Sequence, residues 1–370
     1  MTIEDLSPLA SLGWDAEWAA AFAAATEESK PAGSQSSRSP ARIVAEHRDR
    51  YVVRTGDGER SAILAGRVRH AAASREALPA VGDWVVISAP DRDGAAIVHG
   101  VLPRRSAFVR QAAYVIEAQV VAANVDVALI MTALPADLSL HRLDRYLTLA
   151  WESGATPVIV LSKADLSADV ESAIAEVRAS TQGVEVIAIS TATGVGLDDL
   201  VRHLVPARTA VLMGSSGVGK STLVNHLLGA ERLRTSDVLE DGRGQHTTTH
   251  RELVVLANGA LLIDTPGMRE LQLWNADAGI DAAFADIDAL AERCRFTDCA
   301  HGTEPDCAVL DALRRGALEA DRLEHWRQLR RELAFLARKQ DQGAAAAERA
   351  RTRSLTRAAR KWIEEKYRDR

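Results

Sequence analysis

The stretch Gly214-Ser215-Ser216-Gly217-Val218-Gly219-Lys220-Ser221 decides the fold, because it fits the phosphate-binding pattern G-x-x-x-x-G-K-[ST]. An apolar run at 209–213 precedes it, and a helical pattern that includes Thr222 follows. In such a strand, loop and helix, the glycines let backbone N–H groups face the phosphates, and the helix N-terminus adds its dipole. Lys220 would reach the terminal phosphates and the Ser221 hydroxyl would bind Mg²⁺. The sequence therefore predicts a nucleoside triphosphate site.

Two further motifs each follow an apolar run. Asp264-Thr265-Pro266-Gly267 fits the D-x-x-G pattern, in which the Asp holds Mg²⁺ through water and the Gly N–H meets the γ-phosphate. Ser162-Lys163-Ala164-Asp165 is similar to the [NT]-K-x-D box that reads guanine. The Asp165 carboxylate would accept hydrogen bonds from guanine N1–H and the N2 amine, which adenine cannot offer. We therefore expect GTP, and not ATP, as the ligand.

Lysine usage supports both motifs. Between Lys30 and Lys339 the chain has only Lys163 and Lys220, although arginine is abundant there. A compact ammonium suits a phosphate or a guanine box better than a broad guanidinium does.

A weaker candidate for the guanine site is Ser190-Thr191-Ala192, at the end of a predicted strand at 184–190. Whether its backbone contacts the guanine oxygen is left open by the sequence.

The order of these motifs is informative, because the guanine box precedes the phosphate loop, whereas ordinary small GTPases have it last. The predicted GTPase domain is therefore circularly permuted. With the predicted switch loop Asp241-Gly242-Arg243-Gly244-Gln245-His246-Thr247-Thr248-Thr249-His250, this order resembles the ribosome small-subunit-dependent GTPase A family, known as RsgA, YjeQ or YloQ. The resemblance extends from about residue 9 to about residue 333. It implies a GTP-hydrolysing factor in late maturation of the 30S ribosomal subunit, stimulated by that subunit and bound to 16S rRNA.

Hydrolysis should be slow in the isolated protein, because Met268 occupies the position after D-x-x-G where many GTPases have a water-orienting Gln. His246 is the candidate to supply the missing group, a role that the resemblance also implies, and Lys220 is the second catalytic candidate. The alternative is that His246 is only a loop residue. Either Thr247 or Thr248 is expected to join Ser221 and Asp264 at Mg²⁺, with Thr248 favoured slightly.

All three cysteines of the chain lie in one segment, Cys294 to Cys307. Together with His301 they form the pattern C-x₄-C-x-H-x₅-C, completed by Cys299. One imidazole and three thiolates make a closed tetrahedral set for structural Zn²⁺, and four protein ligands leave no open position for catalysis. The spacing also matches the zinc loop of the family. Unligated buried cysteines are the alternative.

The predicted fold is multidomain α/β with an all-β N-terminal domain. We expect an N-terminal helical segment and flexible linker at 1–40, an OB-fold RNA-binding domain at 41–110 and a circularly permuted P-loop GTPase domain at 111–273. A zinc-binding α-helical domain at 274–345 and a basic tail at 346–370 would follow. Strands are predicted at 41–47, 51–55, 61–68, 83–88 and 95–102. Phosphate contacts of the barrel could come from basic side chains, namely Arg67, Arg69, His70, Arg75, Arg104, Arg105 and Arg110. A barrel used only for packing is the alternative.

Composition narrows the class of protein. The chain of 370 residues has a formal net charge of −6, which argues against a polycation that coats nucleic acid. It contains no apolar stretch of the roughly 18 residues that a membrane span needs, and no secretory leader pattern. We therefore expect a cytoplasmic monomer that contacts no membrane.

Three departures from the family pattern stand out. Ser162 replaces the usual Asn or Thr of the guanine box, which should remove support for the phosphate loop. Gln245 stands where a basic residue is common, and the Arg-rich tail extends past the family core. Two rival functions also remain, a large-subunit assembly GTPase and a non-catalytic, nucleotide-gated RNA-binding protein. The predicted barrel and Cys/His loop argue against a large-subunit GTPase. A non-catalytic RNA-binding protein can be distinguished from a GTPase only by measuring GTP turnover.

Overall fold

A computed structural model describes residues 7–28, 37–47, 50–72, 74–88, 94–111, 117–181, 183–229, 251–264 and 276–338. Several predicted site residues lie outside these ranges, namely His246, Thr247, Thr248 and Gly267. The predicted tail at 346–370 and Met268 lie outside them as well. Within the described residues, no helix combines the length and apolarity of a membrane span.

The N-terminal part forms two helices and a closed barrel. Helices α1 (Ser7–Ala10) and α2 (Ala16–Glu28) precede strands β1 (Arg38–His47), β2 (Arg50–Thr55), β3 (Gly58–Leu64), β4 (Trp84–Ser88) and β5 (Ala96–Val101). The strands pair in the order β1-β2-β3-β5-β4, and β4 also pairs with β1. This additional pairing closes the five-stranded OB-like barrel that the turn pattern predicts.

One predicted barrel strand is too long. β3 ends at Leu64, and residues Gly66–Ala71 form helix α3 instead of continuing the strand to 68. Leu64 is the last residue of β3 that pairs with β5, where it lies opposite Val98. The Val98 carbonyl then accepts a hydrogen bond from the Ala65 N–H, and helix α3 begins at the next residue. The alternation of Arg67, Val68 and Arg69 imitates a strand, but Val68 is only half-buried on this short helix.

The barrel and the central sheet share a strand. Strand β1 pairs with β4 through residues 38–42 and with β2 through residues 42–47, and its register against β2 shifts between Ile43 and Ala45. Beyond the shift, Ala45 and Glu46 also pair with strand β12 (Arg251–Val255) of the central sheet. A bulge bends a strand and re-aims its edge, which lets β1 connect the barrel to the central sheet.

The central sheet follows a short hairpin, β6 (Ala107–Gln111) and β7 (Ala118–Ala123). Its other strands are β8 (Val127–Ala133), β9 (Thr156–Ser162), β10 (Glu185–Ala188), β11 (Thr209–Gly214) and β13 (Leu261–Asp264). The order is β10-β9-β8-β11-β13-β12, and every pair except β12 with β13 is parallel. Helices α4 (Leu140–Ser153), α5 (Val170–Ser180), α6 (Leu197–Val201) and α7 (Lys220–Leu228) connect these strands. The carboxyl ends of the five parallel strands therefore meet at one edge, where ligands of open α/β sheets bind.

The C-terminal part is helical and rests on α4. It comprises α8 (Asp277–Ala283), α9 (Ala285–Ala291), α10 (Ala308–Arg314) and a long helix, α11, that spans described residues 320–338. A Cβ on Gly279 would lie 2.2 Å from the carbonyl oxygen of Thr148, so α8 approaches α4 more closely than any side chain would allow. This contact holds the helical domain against the GTPase domain.

A buried arginine joins the parts at the other end of the sheet. The Arg42 guanidinium, on β1, donates to the carbonyls of Leu12, Gly82 and Asn124 and to the hydroxyl of Thr209. Its residue is only 2% exposed, and burial lowers its pKa to about 10, which still leaves it charged at neutral pH. One cation thus satisfies acceptors from the N-terminal segment, the barrel and the central sheet.

We expect the substitution Arg42→Ala to lower the free energy of unfolding by about 3–5 kcal/mol, because several buried acceptors would lose their donor at once. Arg42→Lys should recover little, since one ammonium cannot reproduce the planar fork of donors. Urea unfolding followed by circular dichroism would measure the change.

The matched control is Arg54→Ala on β2, where the ion pair with Glu59 is exposed and should contribute less than about 1 kcal/mol. An equal effect of the two alanine variants would contradict the assigned role of Arg42.

Candidate nucleotide site and zinc centre

The phosphate loop, residues 214–221, lies between β11 and α7 at the carboxyl edge of the sheet. The Lys220 Nζ donates to the carbonyl oxygens of Gly214 at 2.7 Å and Ser215 at 2.5 Å. This ammonium therefore lies inside the loop, where a triphosphate would approach it. Ser221 is half-buried and Thr222 exposed in the first turn of α7, as the motif requires.

Two kinds of constraint explain the glycines of the loop. Gly214 has φ +140°, and a Cβ there would lie 2.3 Å from the Met131 carbonyl oxygen of β8. Gly217 and Gly219 have φ +81° and +96° with no atom near the position of a Cβ. Their backbone conformation, and not crowding, is what disfavours other residues. Such a glycine turn is the kind of loop whose backbone N–H groups can bind an anion.

The guanine box is connected to the phosphate loop by Ser162. Its buried hydroxyl donates to the carbonyl oxygen of Val218 at 2.7 Å and lies 3.2 Å from that of Thr132. The hydroxyl itself therefore bonds to the phosphate loop, and the loss of support relative to Asn or Thr stays a prediction. The backbone of Lys163 adopts the left-handed conformation, φ +55°, at the turn that carries Asp165.

The structure brings Asp165 and Ser190 together. The Ser190 hydroxyl donates to Asp165 Oδ1 at 2.5 Å, and the Thr193 N–H donates to the same hydroxyl oxygen at 3.2 Å. Ser190 follows β10, the neighbour of β9, and its residue is 1% exposed. The fifth-box candidate therefore lies beside the guanine box and holds one oxygen of the Asp165 carboxylate.

Asp264 ends β13, which pairs in parallel with the phosphate-loop strand β11. The carboxylate thus emerges from the same edge as Ser221, and a hydroxyl with a carboxylate is a donor set suited to Mg²⁺ beside phosphates. The other predicted contributors, Thr247, Thr248 and His246, lie outside the described residues.

The four predicted zinc ligands converge. One ligand atom from each of Cys294, Cys299, His301 and Cys307 lies within 4.8 Å of the others. Cys294 Sγ is 3.7 Å from Cys307 Sγ, and His301 Nδ1 is 3.6 Å and 3.4 Å from these two sulfurs. A tetrahedral Zn²⁺ with Zn–S bonds of about 2.3 Å would place neighbouring sulfurs about 3.8 Å apart. The donor set and its spacing therefore fit structural Zn²⁺.

Packing prepares the cluster for a metal. Burial lowers the pKa of His301, which favours the neutral imidazole that a metal needs. Its carbonyl accepts a hydrogen bond from Arg327, and its ring lies 5.6 Å from that of Trp326, both on α11. Cys307 precedes α10 and its sulfur accepts the N–H of Leu310. Zinc would thus connect the loop at 294–307 to α10 and α11.

Charged pairs join this zinc domain to α4. Arg145 makes a two-pronged ion pair with Glu332 at 2.6 and 2.9 Å. The buried Asp144 lies 3.1 Å from His325 Nδ1 and 3.4 Å from Arg322. Because α4 also begins near the phosphate loop, it contacts both sites.

Arg104 and Arg105, which belong to the seven basic residues proposed for RNA, form ion pairs with acidic side chains of the N-terminal part. Arg104 forms an ion pair with the fully buried Asp83 at 2.7 Å and donates to the carbonyls of Glu76 and Leu78. Arg105 binds Asp15 and Glu17 and lies over the Trp18 ring, with which it holds α2. These arginines stabilise the fold. Arg67, Arg69 and Arg75 are exposed on the barrel.

Sequence reasoning missed Asp137, which lies between β8 and α4 and accepts a hydrogen bond from Ser215 of the phosphate loop at 2.7 Å. Its position in the sequence could have indicated it, because Asp137 follows the apolar strand β8 by a few residues and the carboxyl ends of the parallel strands carry the motifs. Arg42 was also missed, because a charge inside a predicted strand carries no sign of burial.

The fold and the arrangement of its motifs define a circularly permuted P-loop GTPase with an N-terminal barrel and a C-terminal zinc domain. The family model described as RsgA GTPase matches residues 101–274. A protein of Opitutus terrae named "Small ribosomal subunit biogenesis GTPase RsgA" is 46% identical over 358 residues, which cover 94% of this chain and 95% of that protein. A Streptomyces avermitilis protein of the same name is 43% identical over 341 residues, 90% of this chain and 88% of its own.

Solved structures agree. The crystal structure of YjeQ from Thermotoga maritima superposes with a TM-score of 0.60 at 25% identity, covering 80% of this chain and 99% of that one. YloQ, described as a circularly permuted GTPase, gives 0.56 at 25% identity, with 85% and 99% covered. The chain belongs to the RsgA GTPase family.

Replacement of Asp165 by Asn should weaken GTP binding at least about 100-fold, because the amide cannot accept both guanine hydrogen bonds. The same variant should gain affinity for xanthosine triphosphate, whose C2 carbonyl accepts from the amide nitrogen. Competition against a fluorescent GDP analogue measures both affinities. Unchanged GTP affinity would remove Asp165 from the base site.

Removal of zinc should unfold the C-terminal domain and leave the GTPase domain folded. We expect about one Zn²⁺ per chain in the wild type and none in Cys307→Ala, with faster proteolysis between residues 294 and 338. Metal analysis and limited proteolysis test this. Asp298→Ala, in the same loop but outside the ligand cluster, is the control and should keep its metal. A zinc-free wild type with an intact C-terminal domain would contradict the assignment.

Proposed function

We propose that the protein is a GTP-hydrolysing factor in late maturation of the 30S ribosomal subunit, stimulated by that subunit. The observation that carries the proposal is the meeting of the phosphate loop, the guanine box and Asp264 at one edge of a permuted GTPase domain, in a chain that belongs to the RsgA family. The relatives named above are small-subunit biogenesis GTPases, and similarity extends over the barrel and zinc domain as well.

Residues of all the motifs contribute to the proposed nucleotide site. Lys220 and the backbone N–H groups of 214–219 would hold the phosphates, and Asp165, supported by Ser190, would hold guanine. Ser221 and Asp264 would hold Mg²⁺ with Thr247 or Thr248, and the ion would neutralise charge on the β- and γ-phosphates. Lys163 and Thr191 belong to the same proposed binding set.

Hydrolysis requires a group that orients water, and we assign this role to His246. Met268 follows the D-x-x-G motif and has no hydrogen-bonding capacity. Ordering of the loop that carries His246 by the 30S subunit would then explain stimulation by the particle.

The partners and bounds form part of the proposal. The barrel at 41–110 and the zinc domain at 274–345 would contact 16S rRNA, and the GTPase domain would occupy 111–273. Exposed Arg67, Arg69 and Arg75 on the barrel supply charges for phosphate contacts. The segments at 1–40 and 346–370 would flank these domains, and the protein would act as a cytoplasmic monomer.

The decisive experiment is GTP turnover by the purified protein alone, with 30S subunits and with 50S subunits, for the wild type and His246→Ala. We expect slow turnover alone, at least about tenfold stimulation by 30S, and its loss in the variant without loss of GTP affinity. His203→Ala, in the segment between α6 and the amino end of β11, is the matched control.

Each other outcome has a meaning. Stimulation by 50S and not by 30S would move the protein to large-subunit assembly. GTP binding without turnover beside either particle would identify a nucleotide-gated binding protein. Stimulation retained in His246→Ala would remove that residue from the mechanism.

A further inference from the structure

The loop between β8 and α4 places a carboxylate against the phosphate loop. Asp137 Oδ2 accepts the Ser215 hydroxyl at 2.7 Å, and Asp137 Oδ1 lies 2.8 Å from a guanidinium nitrogen of Arg142. The Thr132 hydroxyl lies 2.8 Å from the Asp137 carbonyl oxygen and 3.3 Å from its carboxylate. The side chain is 25% exposed. A carboxylate with these partners has one defined orientation.

The position of this carboxylate is unexpected on electrostatic grounds, because an anion beside a polyphosphate site repels its ligand. Arg142 offsets the charge, and the arginine also donates to the Asp137 carbonyl oxygen. The pair is therefore close to neutral, and what Asp137 contributes to the phosphate loop is a strong hydrogen-bond acceptor.

That acceptor holds the first part of the phosphate loop through the Ser215 side chain. Ser215 is held through its hydroxyl by Asp137 and through its carbonyl by Lys220. The later part of the loop is held by Ser162, which binds the carbonyl of Val218. The open turn between these two anchors contains Gly217, around whose Cβ position no atom lies within 4 Å. Two anchors on either side of the turn would keep its N–H groups in place.

We propose that Asp137 is a positioning residue for the nucleotide phosphates, acting through Ser215 on the first turn of the phosphate loop. The proposal rests on the proposed function only in requiring that this loop binds GTP. Holding the loop before the ligand arrives lowers the ordering cost of binding, so the benefit appears in affinity. Arg142 compensates the charge and keeps the carboxylate aimed at Ser215.

The test is a double-mutant cycle on nucleotide affinity at 25 °C, with fluorescent GDP and GTP analogues as probes. We expect Asp137→Ala and Ser215→Ala each to bind both nucleotides about 10- to 150-fold more weakly, the range of a lost hydrogen bond to a charged group. The double variant should be no weaker than either single one, because both remove the same bond. In turnover with 30S, KM should rise while kcat stays within about twofold.

Conservative replacement separates positioning from mere structural support. Asp137→Asn keeps one oxygen that can accept the Ser215 hydroxyl but loses the ion pair with Arg142, so its affinity should fall clearly less than that of Asp137→Ala. Thermal unfolding would verify that each variant is folded at the assay temperature. Glu46→Ala is the matched control, since its carboxylate is paired with Arg251 and is 27% exposed, but lies at the junction of β1 and β12.

Three results would overturn the proposal: affinity of Asp137→Ala within twofold of wild type, additive losses in the double variant, or an equal loss in Asp137→Asn and Asp137→Ala. The outcome is independent of the ribosome. Absence of stimulation by 30S would sink the proposed function, yet the affinity pattern measured without subunits would still decide the role of Asp137.

Discussion

The interactions of the buried Arg42 guanidinium are the constraint on which the rest of the arrangement depends. A charge with 2% exposure is tolerable only where its donors are satisfied, and here the acceptors come from three parts of the chain. One of them, Thr209, begins the strand that ends in the phosphate loop. The barrel therefore has a fixed position relative to the nucleotide site.

At the opposite edge of the sheet, hydrogen bonds from neighbouring strands hold the phosphate loop. Ser162, from the guanine box, and Asp137, from the loop before α4, bond to different residues of the phosphate loop. Phosphate and base sites are thus connected without a ligand. Helix α4 extends this framework to the zinc domain through Arg145 and Glu332. Helix α4 is therefore common to both contacts, with Arg142 bonded to Asp137 at its start and Arg145 to Glu332 further on.

Much of the fold was predictable because its signals are local. The barrel strands differ from their predicted bounds mainly at the third strand, where the alternation around Val68 belongs to helix α3. The zinc ligands were predictable because all cysteines share one segment with His301. The bridge made by Ser162 was not, since its effect depends on how near the hydroxyl lies to Val218. Likewise, no local signal distinguished Arg104, which is bound to Asp83, from the exposed arginines of the barrel.

By itself, the sequence determined the nucleotide class, the permuted order of the motifs and the metal ligand set, because each depends on residue types at fixed spacings along the chain. Only the tertiary structure decided which side chains meet across elements: Arg42 with Thr209, Ser190 with Asp165, and Asp137 with Ser215. Partners in these pairs are from 25 to 167 residues apart. Contacts over such separations are set by strand order and register, which a linear pattern of residues does not specify.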